Sequence, residues 1–195
     1  ENPLAVGPYD ISAYYMQHKV LQAEAMKAAK ARILEVAADF ARISGRNYGR
    51  FEAYRMEDAE LALVLIGSSA GTAKAAVDNL RENGVKAGLV KIRVFRPFPG
   101  EELAQVLAHT RAVAVMDKSE GFSAQGGPIF SETRSALYDL KERPYLINIV
   151  YGLGGRDVKT EDITKVFGRL AQIAATGEIG PVYSHLGQRS KEETV

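Results

Sequence analysis

The stretch Leu61-Ala62-Leu63-Val64-Leu65-Ile66-Gly67-Ser68-Ser69-Ala70-Gly71-Thr72 decides the fold class. Its first six residues form an uncharged apolar run of strand length. Apolar residues then recur at helical spacing, at Ala73, Ala76, Val77 and Leu80, until Asn83-Gly84 ends the pattern. The same rhythm repeats downstream. Ala87 to Phe95 reads as a second strand, stopped by Pro97 and Pro99, and Leu103, Val106 and Leu107 mark a short helix. Ala112 to Met116 is a third strand, followed by a glycine-rich loop and a helical stripe through Ile129, Thr133, Ala136, Leu137 and Leu140. Tyr145 to Val150 is a fourth strand, and Thr160 caps a last helix carrying Ile163, Val166, Phe167 and Leu170. Strands alternating with helices predict βαβ units, hence a three-layer α/β domain whose mostly parallel sheet has helices on both faces.

Upstream of this core, Ile11 to Ile43 contains no glycine or proline and is dense in alanine. Met26, Ala29, Ile33, Val36 and Phe40 recur at three- and four-residue steps, which predicts one long N-terminal helix. Arg32, Glu35, Asp39 and Arg42 lie on its opposite face; Asp10 or Ser12 is placed to cap its start and Gly45 to end it. The opening residues, with Pro3, Gly7 and Pro8, read as a linker between domains. The resulting division is a linker over 1–10, a long helix over 11–45, the α/β domain over 46–176 and a C-terminal arm over 177–195.

Composition removes whole classes of function. The 195 residues carry 25 basic and 24 acidic side chains, a net charge of +1, which gives no field for gripping nucleic acid or an anionic membrane. The longest apolar runs fall far short of the ~20 residues of a membrane span, and no secretory signal opens the chain, so a cytoplasmic location is expected. Cysteine is absent, which removes disulfides, thiol catalysis and cysteine-ligated clusters or zinc. His18, His109 and His185 are too scattered to form a local metal motif, so no catalytic, cofactor-binding or metal-ligating residue is assigned.

Ligand chemistry in open α/β sheets gathers where strands end and helices begin, and three such loops stand out. In Gly67 to Thr72, backbone N–H groups with the hydroxyls of Ser68 and Ser69, beside Gly71, are arranged to hold an anion or simply to turn and cap a helix. It has neither the lysine of a P-loop nor the spacing of a dinucleotide fingerprint. In the second loop, Asp117-Lys118 closes a strand and Gly126-Gly127 precedes a helix. An acid beside a base there orients a substrate or a neighbouring subunit, or else forms an exposed ion pair. The third, Tyr151-Gly152-Leu153-Gly154-Gly155-Arg156-Asp157, has Asp157 where a GxGxxG fingerprint needs glycine, which argues against a flavin or nicotinamide. Its Arg156 either forks onto a carboxylate or phosphate or pairs with Asp157 or an acidic group of another chain.

Taken in order, these segments resemble the α subunit of pyruvate:ferredoxin oxidoreductase and related 2-oxoacid:acceptor oxidoreductases. The resemblance runs from Tyr54-Arg55-Met56-Glu57-Asp58-Ala59-Glu60 and Gly67 to Thr72 through Lys91-Ile92-Arg93-Val94-Phe95-Arg96-Pro97-Phe98-Pro99. It continues in Asp117-Lys118, Gly126-Gly127 and Gly152-Leu153-Gly154-Gly155-Arg156-Asp157. Pro3 to Tyr14-Tyr15 is similar to that family's connector between its first and second domains, while Ser119 to Gln125 falls where the family varies. The resemblance implies an assembled enzyme that decarboxylates a 2-oxoacid, pyruvate first among them, to an acyl-CoA. It implies thiamine diphosphate, Mg²⁺, iron–sulfur clusters and CoA for that assembly, with ferredoxin accepting the electrons. This chain resembles neither thiamine-binding domain: it has no Gly-Asp-Gly segment and no cysteine. It resembles the transketolase C-terminal-like domain, domain II, which serves architecture and assembly.

The expectation is therefore an architectural domain, inactive alone, whose partners are the other domains or subunits of the complex, a homodimer being one form the assembly takes. The expected interface or anion contacts are Ser68, Ser69, Gly71, Asp117, Lys118, Gly126, Gly127, Gly154, Gly155 and Arg156. The alternative is a free-standing α/β interaction module binding an anion at its glycine loops. An autonomous flavodoxin-like electron carrier is disfavoured, because no phosphate cradle for a flavin is evident.

Overall fold

The computed structural model describes residue 7, residues 9–122 and residues 126–189. Most of the expected linker, part of the loop Ser119 to Gln125 and the end of the C-terminal arm lie outside the described residues. The chain divides into two units, Glu1–Gly49 and Arg50–Val195.

The first unit contains α1, Ser12–Ser44. Gly45 ends it as expected, in the left-handed conformation with its N–H donating to Ala41 O at 2.8 Å. No side chain caps its start: Asp10 accepts from the His18 ring instead, and the N-cap position is Ile11. Within this unit α1 buries no residue. Ion pairs one turn apart (Glu24–Lys27, Arg32–Glu35 and Asp39–Arg42) lace its surface.

The second unit is a six-stranded sheet with the order β1-β3-β2-β4-β5-β6. The strands are β1 (Phe51–Tyr54), β2 (Leu61–Ile66), β3 (Ala87–Ile92), β4 (Ala112–Asp117), β5 (Tyr145–Val150) and β6 (Tyr183–His185). Only β1 is antiparallel, to β3; the other pairs are parallel, with Leu61 level with both Ala87 and Ala112. The helices are α2 (Ala70–Glu82), α3 (Gly100–Leu107), α4 (Pro128–Leu137) and α5 (Thr160–Thr176). Alternation along each strand feeds two cores. Leu63, Leu65, Leu89 and Met116 meet α2 and α5 through Val77, Ile163 and Phe167. Val64, Val90 and Val115 meet α3 and α4 through Leu103, Leu107 and Phe130. Layers on both faces explain why the central strands read as unbroken apolar runs.

Three expectations change. The segment read as an arm from Gly177 contains β6, whose residues pair with Asn148 to Val150 of β5. Ala87 to Phe95 is a strand only as far as Ile92, after which the N–H groups of Arg93 and Val94 both donate to Arg50 O. Thr160 does not cap α5; the N-cap is Lys159, whose backbone N–H donates to Asp162 Oδ2 at 3.1 Å. Among the described residues, no helix is long and apolar enough to cross a membrane.

Candidate functional site at the carboxyl edge of the sheet

Because β2 to β6 run parallel, their carboxyl ends collect on one edge. The helix after β2 packs on one face and the helix after β4 on the other, so the edge has a switch point between these neighbouring strands. All three expected loops lie on this edge, and they differ in what they do there.

At the β2 end, Ser68 and Gly71 are exposed, and Ser69 is buried as the residue preceding α2. The turn closes through backbone bonds: Gly71 N–H donates to Ser68 O and Ala73 N–H to Ser69 O, both at 3.0 Å. Neither serine hydroxyl caps the helix, which corrects half of the turn-and-cap reading.

At the β4 end, Asp117 is 0% exposed and forms no ion pair with Lys118. Its Oδ1 accepts from Ile129 N–H at 2.8 Å and its Oδ2 from Phe130 N–H at 3.1 Å, so its carboxyl satisfies two of the amides that begin α4. Asn148 of β5 completes the arrangement. Its amide Nδ2 donates to Asp117 Oδ2 and to Val115 O, each at 2.9 Å, while its Oδ1 accepts from Gly127 N–H at 2.9 Å. Gly127 is needed for this approach, since a Cβ there would lie 2.2 Å from Asp117 Cγ. Burial pushes the Asp117 carboxyl above its usual range, opposed by the bonds from Ile129, Phe130 and Asn148. Asp117 and Gly127 thus belong to a helix-anchoring network against which the half-buried Gly126 packs, while Lys118 alone of this loop's expected contacts is exposed.

At the β5 end, Leu153–Gly155 forms a 3₁₀ turn with Gly152, Gly154 and Gly155 at φ +66°, +66° and +82°. Gly154, Gly155 and Arg156 are exposed, and among the described residues Arg156 makes no ion pair with Asp157. The structure brings Lys118 and Arg156 to the same glycine turn: a Cβ on Gly152 would meet Lys118 Cε at 3.0 Å and Arg156 O at 3.4 Å.

Several residues at this edge carried no assignment from sequence. Asn148 is one, although an amide inside Tyr145-Leu146-Ile147-Asn148-Ile149-Val150 is a signal in itself. Tyr151 is 3% exposed and its hydroxyl has no hydrogen-bond partner; Ser69 interacts with it without reaching hydrogen-bond geometry, and burial pushes the phenol upward. Tyr183 and His185 of β6 both reach Glu120, the imidazole at 3.0 Å. No pattern in the sequence links these three.

The donor set does not fit a Mg²⁺–diphosphate group or an iron–sulfur cluster. The chain has no cysteine, Asp117 is engaged by three donors, and the described residues contain no group of three His, Asp or Glu side chains placed to share a metal.

Comparison with known proteins places this geometry. The family model for pyruvate:ferredoxin oxidoreductase core domain II matches residues 59–163. The pyruvate synthase subunit PorA of Thermotoga maritima is 46% identical over 167 residues, covering 86% of this chain and 42% of that subunit. The ketoisovalerate oxidoreductase subunit VorA of Pyrococcus horikoshii is 37% identical over 180 residues, covering 92% of this chain and 45% of that subunit. The chain thus spans less than half the length of these relatives. Among solved structures, a 2-oxoglutarate:ferredoxin oxidoreductase from Magnetococcus marinus matches 62% of this chain and 19% of that chain, at 19% identity and a TM-score of 0.47. With more than half of its residues inside the family match, the chain belongs to the pyruvate:ferredoxin oxidoreductase core domain II family.

Proposed function

We propose that this chain serves as domain II of the α-type subunit of a cytoplasmic 2-oxoacid:ferredoxin oxidoreductase, contributing architecture and assembly and catalysing nothing by itself. The observation that carries this reading is how the carboxyl edge of the sheet is used. Among the described residues, the one fully buried carboxyl there anchors α4, and no nucleophile–base pair stands beside it. Pyruvate is the 2-oxoacid favoured for the assembled enzyme, on the 46% identity to PorA of Thermotoga maritima against 37% to VorA of Pyrococcus horikoshii, although PorA subunits of other organisms, at 33–36%, do not exceed VorA. Thiamine diphosphate supplies the electron sink for decarboxylation in such an assembly, and ferredoxin takes the electrons. Other domains or subunits would hold those groups and form this chain's partners.

The test is a pair of measurements on the 195-residue chain. Titration with thiamine diphosphate and Mg²⁺ is expected to release no heat. A viologen dye is expected to stay oxidised with pyruvate, 2-oxoglutarate or branched 2-oxoacids plus CoA, and to be reduced once the remaining subunits are added. Micromolar thiamine diphosphate binding, or dye reduction by the chain alone, would sink the architectural reading.

A further inference from the structure

Most arginines of the second unit have a partner. Arg50, Arg55, Arg81, Arg93, Arg96 and Arg111 each meet a carboxylate, Arg134 and Arg143 lie over aromatic rings, and Arg169 donates to Pro181 O and Ser184. Among the described residues, two arginines of this unit have no acidic, aromatic or carbonyl partner, and they are Arg156 and Arg189. Arg156 lines a half-open cavity of about 230 Å³ formed by the β5–α5 turn and the chain leaving β6, and Arg189 follows the lining residue Gln188. The stem of Arg156 lies against Gly187, whose Cβ would be 3.0 Å from Arg156 Cδ. Lys118, also without an acidic partner among the described residues, lies against Gly152, which lines the cavity.

We infer that this cavity is an oxyanion site, with Arg156 as its fork and Lys118 and Arg189 as flanking charges, taking the phosphate or carboxylate end of a small molecule. The inference is independent of the domain's proposed role. Its volume is below the roughly 300–1,000 Å³ of sites that enclose a drug-sized ligand, and it suits a charged head group. Val150, Tyr151 and Leu186 make part of its wall apolar, which strengthens a charge interaction at its mouth. A guanidinium presents paired N–H donors that match either oxyanion. The nearby acids do not cancel this charge: Glu120 is held by Tyr183 and His185, and Asp157 is exposed and makes no ion pair with Arg156 among the described residues.

The experiment is an amide-resolved NMR titration of the ¹⁵N-labelled chain with inorganic phosphate, and separately with propionate, at ionic strength held constant with chloride. Saturable shifts are expected at Gly152, Gly154, Gly155 and Gly187, with none at Gly84 on the opposite edge. Tighter binding of phosphate assigns a phosphoryl ligand, and tighter binding of propionate assigns a carboxylate. Arg156→Gln is expected to weaken binding at least tenfold and Arg189→Gln several-fold, both with a native-like spectrum. Arg143→Gln is the control and leaves binding unchanged. Shifts that grow linearly or follow chloride equally, or Arg156→Gln binding as tightly as the parent chain, would overturn the site.

Discussion

Asn148 donates from its side-chain amide to Asp117 at 2.9 Å, and through this contact β5 supports the carboxyl that anchors the start of α4. The two side chains are wholly buried and satisfy each other together with the amides of Gly127, Ile129 and Phe130. Removing either leaves donors without acceptors in a dry interior, which costs more than the net gain from an average hydrogen bond. Asp117→Ala is therefore expected to lose about 2–4 kcal/mol of stability in urea unfolding, two or more buried groups being orphaned together.

The same carboxyl gives a pH signature. Its folded pKa is raised by burial, so its contribution is fully present below the ordinary aspartate range and is lost as pH rises through the folded value. Glu52, Asp58 and Glu60 act in the opposite sense. Their pKa values are lowered, chiefly by hydrogen bonds from Lys74, Arg81 and Lys86, so their contribution is lost as pH falls. Subtracting the stability profile of Asp117→Asn from that of the parent chain isolates the Asp117 component. That difference is expected to fall with rising pH from about pH 4 upward. A difference that rises over this range would mean the three donors dominate and the carboxyl is ionised throughout.

Two glycines on this edge separate crowding from flexibility. Gly127→Ala places a methyl group inside the Asp117 side chain and is expected to cost about 1–3 kcal/mol. Gly71, inside α2 with open space around its Cβ position, is expected to gain up to about 1 kcal/mol on substitution by alanine. Chemical denaturation of both variants checks the pair.

Gly155 isolates the backbone term. At φ +82° with nothing within 4 Å of its Cβ position, Gly155→Ala is expected to cost about 1 kcal/mol by conformation alone. Gly155→Asn is expected to recover part of that loss, because asparagine tolerates the left-handed region. Melting curves of the two variants give the order.

Arg156 and Arg81 make a contrast in use. Arg81 donates to Ala87 O, Arg55 O and Asp58, and Arg81→Ala is expected to cost about 1–3 kcal/mol. Arg156→Ala is expected to stay within about 0.5 kcal/mol in the isolated chain, since among the described residues it has no ion-pair partner to lose. If assembly with the remaining subunits weakens while the melting temperature holds, the arginine acts outward.

The elements legible in the sequence were those with strong apolar periodicity. β2 and β4 are buried from both sides, so Leu61–Ile66 and Ala112–Met116 are unbroken apolar runs, β5 is interrupted only by Asn148, and α2 and α5 carry one apolar stripe each. β1 and β6 are short edge strands with polar members. Glu52 of β1 is held by Lys74 and Arg93, and Tyr183-Ser184-His185 has no alternation to read. Their strand character comes from the neighbour that offers backbone groups, which for Glu52 is Lys91 of β3, 39 residues away and invisible in a local window. Asp117 looked like a surface acid because Lys118 follows it. Its burial is set by the start of α4, 12 residues downstream, where unsatisfied amides need an acceptor. Arg156 was legible as an arginine in a glycine turn, but its setting beside Gly187 depends on β6, which the sequence did not reveal.

The strand order also sets a schedule for synthesis. β2 is flanked by β3 and β4, and its far side pairs at Ala112, 51 positions after Leu61. On a ribosome delivering the chain from its amino end, β2 therefore emerges with one flank of its Leu61–Ile66 ladder open until β4 arrives. A strand of six apolar residues with an unpaired edge is the form most prone to join another nascent chain. Slowing translation after β3 is expected to raise the aggregated fraction.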